Sequence, residues 1–196
     1  MKYVITTVAA LTLIGSALTS PLSAQERWGV EFRLNGAIAT QDADRDNREN
    51  GIGFEGNVQY RFLPHMAAYA GWDWTHFSAQ EAIAGPDMDL EETGYAFGLR
   101  FEHPFREGSR TNWWVRGGGI YNHFELENED GDIVSDSGHG LGWEAGAGLA
   151  LVLGNGWSLT PGIRYRELSR DLTIEGTEVP VDVEALAFEV GVGYRF

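Results

Sequence analysis

Few stretches of this chain place side chains where they could carry out chemistry, and the sharpest is His76-Phe77-Ser78. Residues two apart on an extended strand share a face, so the imidazole could take a proton from the hydroxyl. Glu91 or Glu92, at the start of the following segment, could orient that imidazole. A base, a hydroxyl nucleophile and an orienting carboxylate are the minimum for acyl hydrolysis. The competing reading makes His76 and Ser78 interfacial side chains at the edge of an aromatic belt with Trp72 and Trp74. The second reading is adopted: no catalytic residue is expected, and His76, Ser78 and Glu91 stand only as the alternative.

Other constellations fall short of a site. Asp42-Ala43-Asp44-Arg45-Asp46 spaces carboxylates like the start of a calcium loop, but Asn47 replaces the required glycine and Gly53 the required glutamate. No metal site and no cofactor is expected. Gly117-Gly118-Gly119 lies inside a strand pattern with no following helix, so it serves bending or close packing and holds no phosphate. The chain has no cysteine, which removes disulfides, thiol nucleophiles and cysteine-based metal sites. Its net charge is −15 and Lys2 is its only lysine, which argues against nucleic acid as a partner.

The elements that must position these residues are strands. After Gln25 the chain divides into eight alternating segments: 28–40, 52–62, 67–77, 93–103, 112–126, 141–153, 157–167 and 183–196. The last sets Phe188, Val190, Val192, Tyr194 and Phe196 against Ala187, Glu189, Gly191, Gly193 and Arg195. The connections alternate in length: short at 63–66, 104–110 and 154–156, long at 41–51, 79–92, 127–137 and 169–182. Such segregation is that of a transmembrane barrel, with short periplasmic turns and long outer loops. The expected fold is all-β, an eight-stranded antiparallel up-and-down transmembrane β-barrel over residues 25–196. Residues 1–24 read as a signal peptide: a positive start, an apolar run from Val4 to Leu18 and a small Ala24 before the cut.

Sorting charge by face supports this. The inward positions hold Glu31, Glu55, Asp73, Glu102, Glu144 and Glu189 against Arg33, Arg61, Arg100, Arg116, Arg164, Arg166 and Arg195, while the lipid-side positions of the spans hold none. A lipid-facing arginine would cost about 2–4 kcal/mol near the midplane. The near balance predicts a paired network filling the interior, because a buried charge without a partner is expensive. Eight strands leave room for little more than side chains, so a narrow porin-like channel is the alternative to a plugged interior. Of 29 acids, 20 are assigned to the long loops and their flanks, Glu92 among them.

The segment ending the chain resembles the C-terminal assembly signal of outer-membrane barrels through Glu189, Gly191, Tyr194 and Phe196. With strand count and loop asymmetry, residues 28–196 resemble the OmpA/OmpX/opacity-type family of small eight-stranded outer-membrane proteins. The resemblance implies a Gram-negative outer-membrane location with both termini periplasmic, and a role in envelope integrity, adhesion or very narrow permeation. Its implied partners are outer-membrane lipid, lipopolysaccharide and the barrel assembly machinery, met through the C-terminal strand. Ca²⁺ or Mg²⁺ bridging the acidic loops to lipopolysaccharide phosphates is a further possible contact; a solvated acidic surface is the simpler account. His76-Phe77-Ser78 also resembles the His-x-Ser of the lipid A 3-O-deacylases, themselves eight-stranded barrels, where the motif lies late in the chain and not in the third segment.

Overall fold

The computed structural model describes residues 27–41, 48–78, 88–128, 132–174 and 177–196. The expected signal peptide lies outside the described residues, as do eight of the acids assigned to the long loops. The strands are β1 (Trp28–Gln41), β2 (Arg48–Leu63), β3 (Met66–Ser78), β4 (Met88–Pro104), β5 (Thr111–Asn128), β6 (Ile133–Asp136), β7 (Gly140–Gly154), β8 (Trp157–Ile174) and β9 (Thr177–Arg195). Each pairs antiparallel with its neighbour, and β1 pairs with β9 from Gly29↔Arg195 to Gln41↔Val183. That pairing joins the first strand to the last and closes the sheet. The short β6 pairs with the outer part of β5, while β7 pairs with the rest, so β6 and β7 together fill one of eight places in the wall. The eight-stranded barrel is therefore as expected. The strands run further than the sequence suggested: β8 and β9 pair out to Ile174↔Thr177, and β4 begins at Met88.

The two ends of the barrel differ. One, here the terminal rim, holds Trp28, Phe196 and the tight connections; Asn155, with φ 51°, turns the β7–β8 hairpin between Gly154 and Gly156. The opposite end is the far rim. Between them the exterior is apolar and exposed, with Phe32, Leu34, Val58, Phe97, Leu149 and Phe188 all at least a third open. Aromatic pairs bound this band. Trp28–Tyr60 and Trp157–Tyr194 mark the terminal rim, with ring centroids 4.8 and 4.9 Å apart. At the other boundary, the indole N–H of Trp74 donates to Glu91 (3.0 Å) and that of Trp143 to Glu167 (3.2 Å). An indole with its ring in an apolar layer and its N–H toward polar groups suits an interface between the two.

Glycines let the wall accept one large interior side chain. Trp114 is 1 % exposed, and a Cβ placed on Gly148 would meet its indole at 2.6 Å and the Pro161 carbonyl at 2.3 Å. Gly162 sits under the same ring. Gly148→Val is expected to destabilise the barrel by about 1–3 kcal/mol or more, as overpacking against backbone does. Denaturant titration in micelles reads this shift, and an unchanged midpoint would contradict it.

Candidate functional site

The interior is built in two zones. In the half nearer the terminal rim, charges pair across the lumen. Arg195 reaches Glu102 at 2.7 Å, and Arg100 bridges Glu102 (3.2 Å) and Glu31 (2.9 Å). Arg33 bonds Glu31 at 2.9 Å and also Glu189, and Thr160 donates to Glu31. The guanidiniums of Arg33 and Arg100 both lie 4.7 Å from the Trp114 ring centre, a stacking arginine favours. At mid-height Glu55 takes a two-pronged bond from Arg116 (2.9 and 2.7 Å) and a third from Arg164 (2.7 Å). Glu144 lies 3.2 Å from Arg116 and 3.5 Å from both Arg164 and Arg166, and accepts the Tyr69 hydroxyl at 2.7 Å. Asp73 pairs with Arg166. Arg61 stands half-buried at the terminal rim, beside a cavity of about 20 Å³, room for about one water molecule.

Two charged residues join this interior that the sequence reading had not placed there. Glu92, assigned to the outer loops, points inward, is 1 % exposed and takes hydrogen bonds from Arg166 (2.8 Å) and Asn122 (2.5 Å). The correction follows from register: Leu90, Glu92 and Gly94 continue the inward series of β4, so strand geometry extends below the point where the loop was drawn. Arg170 donates to the carbonyls of Asn122, Leu141 and Gly140. Those carbonyls lie above the last β7–β8 partner pair, Trp143↔Glu167, where the guanidinium takes the place of a missing strand partner.

Above the charges, toward the far rim, the inward positions turn apolar. Phe77, Leu90, Phe124, Leu126, Leu168 and Val183 pack together at 0–1 % exposure, with Ala37, Ala39, Ala185 and Ala187 beside them. The sequence reading sorted the inward face for charge alone and passed over this cluster, although strand parity puts each of its members inside.

His76 lies on the exterior at the far rim, stacked on Trp74 at 5.9 Å. Its Nδ1 is 3.5 Å from Glu91 and its Nε2 3.7 Å from Asp89. Both ring nitrogens thus face carboxylates; the side chain of Ser78 lies outside the described part of the structure. On β5 nearby, the Glu127 carboxyl is raised above the usual carboxylate range, first by desolvation and then by Glu91 and Glu125. At the other rim, the Phe196 N–H donates to the Trp28 carbonyl (3.0 Å) and its ring stacks on Tyr194 at 6.1 Å. Gly191 lies inside against Thr160 and Arg33, where a Cβ would come within 2.5 and 2.8 Å of them.

Comparison with known proteins completes the site. The sequence profile of the outer membrane protein beta-barrel domain matches residues 7–196. No curated protein sequence matches the chain. Among solved structures, Neisserial surface protein A is similar over 86 % of this chain and 97 % of its own, with TM-score 0.67 at 15 % identity. Ail, the attachment invasion locus protein of Yersinia pestis, is similar over 88 % and 99 % (TM-score 0.54, 15 % identity), and has also been solved with the heparin analogue sucrose octasulfate. OprG of Pseudomonas aeruginosa covers 90 % and 99 % (TM-score 0.52, 11 % identity). At these identities the shared property is the fold.

Proposed function

Since this chain belongs to the outer membrane protein β-barrel family and is an integral outer-membrane barrel, we propose that it is a non-enzymatic, closed barrel of envelope-integrity or surface-interaction type. The observation that carries this reading is the stacking of two different plugs in one lumen. A solute or ion would have to part the Arg–carboxylate network and then the dry cluster of Phe77, Leu90, Phe124, Leu126 and Leu168. The second zone is lined mostly by apolar side chains, which offer water and ions little to bind, and breaking the first leaves buried charges unpaired.

The termini are assigned to the periplasm, because the tight connections share their rim. Lipid contacts follow from the exterior band, and lipopolysaccharide is the partner expected at the acidic far rim, with divalent cations between carboxylates and phosphates. A polyanion such as the sulfated ligand of Ail suits this chain poorly: Asp89, Glu91, Glu125, Glu127 and Asp136 gather on the same stretch of far-rim exterior. The C-terminal strand, with Glu189, Gly191, Tyr194 and Phe196, is the segment offered to the barrel assembly machinery. Catalysis by His76 is disfavoured because its two ring nitrogens are both turned toward carboxylates, Asp89 and Glu91.

Planar-bilayer recording of the purified barrel tests the closed reading. No unitary conductance over many confirmed insertions is expected. Reproducible steps would replace it with the narrow-channel reading.

A further inference from the structure

On the exterior of the far rim, adjacent strands set His76, Glu91, Glu125 and Asp136 in one transverse row, each the direct partner of the next. Like charges directly opposed across a strand pair repel and are destabilising. Here three carboxylates stand side by side, and Asp89 opposes Glu127 in the following row. Arginine does not offset them: on β3 to β6 the only cationic side chains besides histidine are Arg100 and Arg116, both buried inside.

What accompanies the row is imidazole. His123 Nδ1 lies 3.3 Å from Asp136 and its Nε2 4.0 Å from Glu125. His139 stacks on His123 with ring centres 4.3 Å apart. Donor atoms of His123, Glu125 and Asp136 all fall within 4.8 Å of one another. Small side-chain rotations would bring them to the roughly 2 Å ligand distances of zinc.

We propose that His123, Glu125 and Asp136 form a site for a divalent transition-metal ion of the zinc class, with the fourth position left to water. Carboxylates alone would suit Ca²⁺ or Mg²⁺; imidazole nitrogen shifts the preference to zinc and its neighbours. Two carboxylates cancel the charge of the ion, which turns the in-register repulsion into attraction. The ion would also tie β6 to β5, which otherwise share three partner positions. This inference does not rest on the barrel being closed, since the site lies on the exterior.

The test uses the full barrel, refolded in detergent free of lipopolysaccharide. Co²⁺ serves as the absorbing probe and Zn²⁺ as the ligand in calorimetry. Wild type is expected to bind one Zn²⁺ per chain. His123→Ala should weaken binding by at least about tenfold, the lower end of what loss of a ligand's mere supporting partner costs. His65→Ala, in the histidine pair with His103 at the other rim, should leave binding unchanged. Heat-modifiable gel migration confirms that each variant is folded. Absence of zinc binding by wild type, or zinc affinity untouched by His123→Ala, overturns the proposal; so does Ca²⁺ binding with no preference for zinc.

Discussion

Glu55→Leu is expected to destabilise the barrel by about 3–5 kcal/mol, the cost of breaking a buried ion pair from one side. Glu55 is fully buried and is held by four hydrogen bonds, two from Arg116, one from Arg164 and one from the Asn57 side-chain amide. Its removal leaves two buried guanidiniums at mid-height with fewer acceptors. Glu144 approaches both arginines, but at 3.2 and 3.5 Å and while serving Tyr69 and Arg166 as well. The double variant Glu55→Leu/Arg116→Leu should lose less than the two single variants summed, because removing both partners strands no charge. Urea titration in micelles, read by the difference in gel migration between folded and unfolded forms, measures both. A single-variant loss below about 1 kcal/mol, the worth of an exposed pair, would show the interior to be wetter than its geometry implies.

Deletion of Phe196 is expected to have an equally large effect, but on assembly in cells and not on stability in the test tube. The folded barrel would lose one backbone hydrogen bond, to Trp28, and one ring contact, to Tyr194. Those are worth about 1 kcal/mol each, too little to prevent refolding in detergent. In a Gram-negative host, by contrast, the truncated chain should pass from mostly inserted to mostly degraded or soluble. The reason is that β9 must be delivered to β1 to seal the sheet, and an unsealed edge has no place in lipid. Measuring the heat-modifiable fraction in isolated outer membranes alongside refolding in micelles separates the two effects. Normal insertion of the truncated protein would remove the proposed role of Phe196 as an assembly signal.

Some of the far rim was legible only once the strands were paired. Asp136 lay in what read as a loop, with His139 just beyond it, because Ile133–Asp136 is too short to show a period of its own. Pairing with β5 brings Asp136 level with Glu125, and the carboxylate row appears only then. For the same reason a chain read as having no metal site presents a set of donors that could hold one. The aromatic belt, by contrast, needed no pairing: Trp72 and Trp74 mark their own boundary by parity and position.

By itself the sequence determined the two faces of each strand, the number of wall positions and the alternation of short with long connections. These are local properties: a period of two is written in each segment, and a charge cannot sit on the lipid side of any of them without cost. Tertiary structure alone decided the partners. Arg33 meets Glu189 across 156 positions of sequence and Arg164 meets Glu55 across 109, because closure and stagger of the sheet, not spacing along the chain, set which inward residues stand level. It also decided that Trp114 would lie between glycines under two guanidiniums, that Glu92 would turn inward, and that the charges would be capped by a dry apolar zone. Which residues face inward could be read from one strand at a time; what they meet there depends on all eight.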